Sequence, residues 1–414
     1  MDVFTPEQKY KIQSVVDLFT KHFPFRMNGK TLETLVVQGG MGVDVSGVDL
    51  ANAVAKTGSA GTVSTTLSQH KDLLKQIDTT QIIGINHLVS TIDYEECYTL
   101  GQNAGADYIA SGAGFNMAIA KRAKNQATDQ PHYWTIPIIS NVTQLLKRLP
   151  LNWGYIILEN TDSGGHNGAG VGFEQTLEEC RHTVIDKQGN KVIFAGGVRT
   201  STDFVRAIDH GFDAVQMGTV FLASTEADFK YKNMIIHAGE AGMPAATRVP
   251  SVAGLAASGF PFGVIEGTLR GQKYERYTCA NNNQQGCLIN CNLIKTSAGL
   301  IGLDPEKMGD YCILQALRAA NKESTSTYPP LVFSGMHPEK LPLSRWLPDG
   351  KPIPAKEIIA KYLQEAYDAI IDGYYRTKGY VGKILDEHRA YLEERYNAYK
   401  REEGLTLTAK VLCA

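Results

Sequence analysis

Eight short apolar runs, at residues 35–37, 61–63, 82–85, 108–110, 136–139, 155–158, 192–194 and 214–217, recur through the first half of the chain. Each is rich in Val, Ile or Leu, and the stretches between them have helical character, so the sequence reads as a repeated βα unit. The runs are continuous rather than alternating, as strands covered on both faces by a ring of helices require. An antiparallel sandwich fits this pattern poorly. Eight is also the number of parallel strands that closes a barrel. The expectation is a TIM-type (β/α)8 barrel, with a doubly wound open sheet as the competing arrangement. Helix signals agree: Asp49 leads into LANAVAK, Ser201 or Thr202 opens TDFVRAIDH, and Gly58 and Gly211 stand where those helices should exit.

A barrel accounts for about 250 residues, and the chain has 414. Residues 1–30 read as an amphipathic helical extension suited to plugging or covering the barrel floor, and 31–243 as the barrel. Residues 244–340, with Gly, Asn, Gln and four Cys, read as a segment wrapping over the barrel mouth. Residues 341–414 read as a helical tail, with Ile358, Ile359, Tyr362, Leu363 and Tyr367 on one face. Its tyrosines, including Tyr374 and Tyr375, suit packing better than an aromatic platform.

With 43% hydrophobic and 20% charged residues the chain can build a sizeable core. Lys plus Arg total 41 against 43 Asp plus Glu, a net charge of -2 that offers no field for nucleic acid or an anionic membrane. Small neutral or mildly anionic substrates fit better. The first residues lack the apolar core of a signal peptide, and no run approaches the roughly 18 apolar residues of a membrane span, so a cytoplasmic protein is expected. The oligomeric state, a homo-oligomer included, is left open. Seven Cys without an export signal favour free thiols over a disulfide framework. Cys279, Cys287, Cys291 and Cys312 are spaced C-x7-C-x3-C-x20-C, which lacks the paired knuckles of a zinc or iron–sulfur site, so no metal is expected.

Chemistry in a β/α barrel gathers at the carboxyl ends of the strands. There the chain places Gln38-Gly39-Gly40-Met41-Gly42, Asn86, Ser111-Gly112-Ala113-Gly114, Asp162-Ser163-Gly164-Gly165-His166-Asn167-Gly168, Ala195-Gly196-Gly197-Val198 and Gly218-Thr219. Glycine lets the backbone approach a flat ring or a phosphate, and its N–H group is a donor. Gly196, Gly197, Gly218 and Thr219 follow the seventh and eighth strands, the usual barrel phosphate site. Any one cluster could simply end a strand in a tight turn; their recurrence around one rim points to a ligand. A dinucleotide fingerprint is incomplete, since Met117 and Val45 stand where the third Gly of G-x-G-x-x-G belongs.

The strings QGGMGVDVSGVDLANAVAKTGSAGTVS, DSGGHNG and FAGGVRTSTDFVRAIDHGFDAVQMGTVFLAS resemble the FMN barrel family of nitronate monooxygenases (2-nitropropane dioxygenases) and flavin-dependent enoyl-acyl-carrier-protein reductases. The likeness runs over residues 35–223, with weaker echoes in VPSVAGL, GCLINC and YCILQAL. It implies noncovalent FMN, with Gln38, Gly39, Gly40, Met41 and Asn86 near the ring and the seventh and eighth loops on the phosphate. Ser111, Gly164 and Gly165 are further candidates for the cofactor site. His166 is implied as the catalytic base or polarising group: a neutral imidazole can accept a proton from carbon beside a nitro group and then stabilise the anion by hydrogen bonding. The first expected function is oxidation of alkyl nitronates by dioxygen to a carbonyl compound and nitrite. The alternative is reduction of an enoyl thioester by NAD(P)H; a non-catalytic flavin-binding scaffold comes third. Leu35 stands where the family often has Pro, and Asn160-Thr161-Asp162 replaces smaller apolar residues. Asp162 is therefore a candidate to adjust His166 or to bind a cation.

Overall fold

A computed structural model describes residues 4–66, 71–89, 91, 93–112, 134–151, 153–167, 170–180, 187, 189–243, 245–250, 256–260, 317–325, 330–373, 385–401 and 407–413. Strands β3 (Val36–Gln38), β4 (Ala60–Ser64), β5 (Ile82–Leu88), β6 (Tyr108–Gly112), β7 (Trp134–Ile139), β8 (Tyr155–Glu159), β10 (Lys191–Ala195) and β11 (Ala214–Met217) form a closed barrel. All eight coincide with the apolar runs of the sequence, and all neighbours are parallel. Closure comes from β11 against β3, with Val215 opposite Val36 and Met217 opposite Gln38.

The amino-terminal end of the barrel is sealed. Phe25, Met27, Val37, Ala60, Ile82, Tyr108, Ile136, Ile157 and Ile193 surround a void of only ≈ 10 Å³. Tyr108 fills the centre because β5 carries Gly84 beside it, where a Cβ would lie 2.3 Å from the Tyr108 ring. Its hydroxyl meets Thr62 Oγ1 at 2.7 Å and donates to the Gly61 carbonyl at 3.1 Å, so a buried polar group is satisfied.

Outside lie helices α1 (Pro6–His22), α2 (Val48–Ala55), α3 (Tyr94–Asn103), α4 (Val142–Arg148), α5 (Phe173–Cys180), α6 (Ser201–Asp209), α7 (Ala355–Asp372) and α8 (Asp386–Lys400). Two placements differ from the sequence expectation. Helix α1 does not plug the floor, which β1 (Arg26–Met27), β2 (Lys30–Thr31) and Phe25 close; it packs on α7 and α8, with Phe19 edge-on to Phe204 of α6 at 5.6 Å. Helix α7 is not an appended tail. It packs between α6 and α2, the place of the eighth barrel helix, because no long helix directly follows β11 to cover that side.

A second, antiparallel sheet lies at the barrel mouth, where β13 (Ala256–Phe260) pairs with β9 (Gly165–Asn167), β12 (Thr247–Pro250) and β14 (Val332–Phe333). Cys279, Cys287, Cys291 and Cys312 lie outside the described residues, as do Ala113, Gly114, Gly168, Tyr374 and Tyr375. Cys97 and Cys180 are buried free thiols. Among the described residues no helix is long and apolar enough to cross a membrane.

Leu363 on α7 is fully buried. Leu363→Ala should therefore cost about 2–5 kcal/mol in urea denaturation and shift the barrel's own transition; a dispensable tail would leave that transition where it was.

Candidate functional site

Side chains alternate along a strand, so the inner face of each barrel strand can be followed upward from the sealed floor. Ile157 of β8 borders the floor void, and Glu159 two residues later opens on a cavity of ≈ 780 Å³ at the carboxyl ends of the strands. Gly39, Gly40, Met41, Asn86, Gly164, Gly165, His166, Gly196, Gly197, Gly218 and Thr219 all line this cavity.

Gln38 and Ser111 do not. Gln38 is fully buried, with Oε1 accepting from Thr62 N–H at 3.0 Å and Nε2 donating to the Gly39 carbonyl. It bridges the short β3–β4 joint, where one residue pair, Val37 and Ala60, is in register. Ser111 is out of phase with inward-facing Tyr108, and its hydroxyl meets Tyr94 of α3 at 2.7 Å on the outer face.

The glycines divide into two kinds. At Gly40 a Cβ would fall 2.3 Å from Asn86, and at Gly164 2.8 Å from Ser334. Gly196 and Gly197 have φ of +95° and +72°, and side chains there would strike Asn160 and Phe173. The protein's own packing demands these four. Gly218 is different: a Cβ there would meet only Met41, at an ordinary 3.7 Å, so its bareness keeps backbone open to the cavity.

The rim offers donors. Among the described residues, the N–H groups of Gly197, Val198, Gly218 and Thr219 find no acceptor in the protein. The amino terminus of α6 is not part of this set, because Asp203 accepts from Arg199 N–H at 3.2 Å and Thr200 N–H at 3.0 Å and fills it with its own carboxylate. Four such amides on residues that line one cavity offer donors of the kind that hold a phosphate.

Asn160, noted from the sequence only as a departure from the family's smaller apolar residues, holds the two loops together. Its Nδ2 donates to the Gly196 carbonyl at 2.8 Å, and its Oδ1 accepts from Asp162 N–H at 2.8 Å. Asp162 is engaged elsewhere than at His166: its carboxylate meets Arg199 Nη2 at 3.0 Å and accepts from Phe173 N–H at 3.1 Å. Its role is to tie the loop after β8 to Arg199 and α5.

His166 sits in the middle of β9, opposite Ala257 of β13. Asn167 anchors the strand by donating to the carbonyls of Thr161 and Ser163 and to Ser258 Oγ, at 3.3, 3.1 and 3.0 Å. The imidazole faces the cavity and packs edge-on to Phe333 at 5.2 Å. Burial pushes its pKa down to about 4, since the protein around it solvates an imidazolium poorly.

A second buried cluster, His87, Asp93 and Cys97, has ligand-type atoms close enough to hold a metal ion. A cation already sits there: Lys71 Nζ lies 2.5 Å from Asp93 Oδ2. Burial opposes ionisation of Asp93, but hydrogen bonds from His87 and Lys71 prevail and hold its pKa well below the usual range. The cluster ties α3 to the barrel wall.

A model of the nitronate monooxygenase family matches residues 25–256, more than half of the chain and the whole of the eight-stranded barrel. The chain belongs to that family. A Staphylococcus saprophyticus subsp. saprophyticus protein described as "probable nitronate monooxygenase" is 25% identical over 137 residues, covering 30% of this chain and 38% of the relative. The chain thus matches well under half of that relative's length. FabK from Thermotoga maritima is similar in structure, with a TM-score of 0.59 at 19% identity over 87% of this chain and 98% of that one. A nitroalkane oxidase from Streptomyces ansochromogenes gives 0.52 at 17% identity over 81% and 97%. At these identities the two structures share the fold.

Gly197→Ala should lose about 1–3 kcal/mol of stability in chemical denaturation, whereas Gly218→Ala should fold as the parent does. Equal losses at both positions would mean that Gly218 too is held by packing.

Proposed function

We propose that the chain is an FMN-dependent nitronate monooxygenase, converting alkyl nitronates and dioxygen to a carbonyl compound and nitrite. Family membership makes it a flavin-dependent oxidoreductase; FMN and the nitronate substrate are the finer reading. The observation that carries it is a neutral imidazole facing the same ≈ 780 Å³ cavity as the free amides of the rim.

The residues present fit FMN. Gly197, Val198, Gly218 and Thr219 would hold its phosphate through their amides, and Gly39, Gly40, Met41 and Asn86 would border its ring. A bound flavin supplies the electron transfer and the reactivity toward dioxygen.

The chain's own residues do the rest. Phe229, Leu331, Val332 and Phe333 give the cavity apolar walls that keep water from the reacting carbon. With a pKa of about 4, His166 is unprotonated at neutral pH, so its ring N–H can polarise the nitro oxygens of a bound nitronate and, where the neutral nitroalkane enters instead, the other ring nitrogen can take the proton from the carbon beside the nitro group. Its base form fades only as pH falls toward 4, so no loss of activity near pH 6.5 is due to this residue. Phe333 and the β9–β13 pairing restrict the ring's orientation. Small-molecule substrate and dioxygen are the implied reaction partners.

Anaerobic mixing with a nitronate should bleach the oxidised flavin band, and His166→Ala should keep its flavin while turnover of the neutral nitroalkane falls about 10²–10⁴-fold. Bleaching by NAD(P)H alone, with no response to nitronate, would favour enoyl thioester reduction instead. Silence toward both donors would leave a non-catalytic flavin carrier.

A further inference from the structure

Glu159 is the one carboxyl on the inner wall of the barrel at the level of the cavity floor, among the described residues. Strand parity puts it there: it is in phase with Ile157, which borders the sealed floor. The register sets small, apolar Ala195 of β10 beside it. Among the described residues it makes no ion pair, and the buried Ser163 hydroxyl, which has no hydrogen-bond partner of its own, is its polar side-chain neighbour. The other titratable or charged groups around the cavity are Arg148 of α4, Asp162, His166 of β9, Arg199 and His337. The two arginines are engaged elsewhere: Arg199 with Asp162 and the Met336 and Gly197 carbonyls, Arg148 with the Gln144 carbonyl. Among the described residues a carboxylate in this position would be partly buried without a cation, an arrangement that favours the neutral acid. Burial accordingly raises its pKa to about 7, although Ser163 stabilises the anion somewhat.

A flavin is rich in acceptors: ring nitrogens, two carbonyls, ribityl oxygens and, in FMN, a phosphate. Filling the cavity with such a group removes water from Glu159, which raises the cost of a carboxylate there and favours the acid, able to donate to an acceptor beside it. A carboxylic acid meets acceptors with a donor; a carboxylate meets them with repulsion.

Resting on the flavin reading above, we propose that Glu159 is a proton-holding contact for the bound flavin, so that flavin binding is coupled to capture of one proton from solvent. The balance is simple: the carboxylate, a proton and the flavin give the carboxylic acid with the flavin bound. No redox change is involved. Because the bound state holds the proton more tightly, affinity is lost as pH rises above the free group's titration and is unaffected well below it.

The test is titration calorimetry on the full-length chain freed of flavin, at pH 8, in buffers of differing ionisation enthalpy. Riboflavin and FMN are both used, since the FMN phosphate titrates near pH 6 on its own. The parent should take up about one proton per riboflavin, with affinity falling about tenfold per pH unit between pH 8 and 9. Glu159→Gln, which keeps the shape and a donor but cannot titrate, should bind with no proton uptake and a flat pH profile. Binding of riboflavin by the parent without proton uptake, or the same uptake in Glu159→Gln, overturns the role of Glu159 and leaves the flavin reading standing. Absence of flavin binding at every pH from 6 to 9 overturns both. The parent measurement stands by itself should the variant fail to fold.

Discussion

All eight barrel strands run the same way, and from this the rest of the molecule follows. Parallel pairing around a closed ring delivers every carboxyl end to one rim. At the other end aliphatic side chains, Tyr108 and Phe25 pack until only a ≈ 10 Å³ void is left, whereas the loops at the rim leave ≈ 780 Å³ open. The same closure requires cover outside the strands. Burying a leucine-sized side chain contributes about 1.5–3 kcal/mol, and α7 brings Ile358, Ile359, Leu363 and Ile370 to the gap beside β11. The carboxyl-terminal region is therefore part of the barrel's stability.

Holding chemistry over such a mouth needs a second support, and the antiparallel sheet provides it. His166 is carried on a short strand whose partner, β13, comes from beyond the barrel, and Phe333 of the same sheet packs against its ring. A loop flanked by glycines would leave an imidazole many orientations; strand pairing and the three hydrogen bonds of Asn167 leave few. Asn160 and the Asp162–Arg199 pair do the same for the backbone that bends toward the free amides. The orientation of His166 and the post-barrel packing are thereby coupled.

The strands were legible because continuous apolar runs have few alternatives when both faces are buried, and the rim followed from parallel order. What escaped was orientation. Ser111 belongs to a Gly-rich strand end, yet parity with Tyr108 turns it outward to Tyr94; the same parity turns Glu159 inward, a signal present in YIILE and passed over. Glycines proved ambiguous for a physical reason: Gly40, Gly164, Gly196 and Gly197 are required by neighbouring protein atoms, and only three-dimensional contacts separate them from Gly218. The amphipathic pattern of α7 was readable, but its partners α2 and α6 lie far away in sequence and leave no local trace. Asp162 looked like a modulator of His166 until Arg199 and Phe173 were seen to engage its carboxylate.

The central proposal is that the backbone amides after β10 and β11, which have no acceptor among the described residues, would hold the phosphate of a flavin bound in the cavity that His166 lines. Diffraction from crystals of the protein loaded with FMN tests this most directly. The account predicts phosphate oxygens within hydrogen-bond distance of the Gly197, Val198, Gly218 and Thr219 nitrogens and the ring in the cavity that His166 faces. Density for the phosphate elsewhere, or an FMN ring bound outside the barrel mouth, would contradict it.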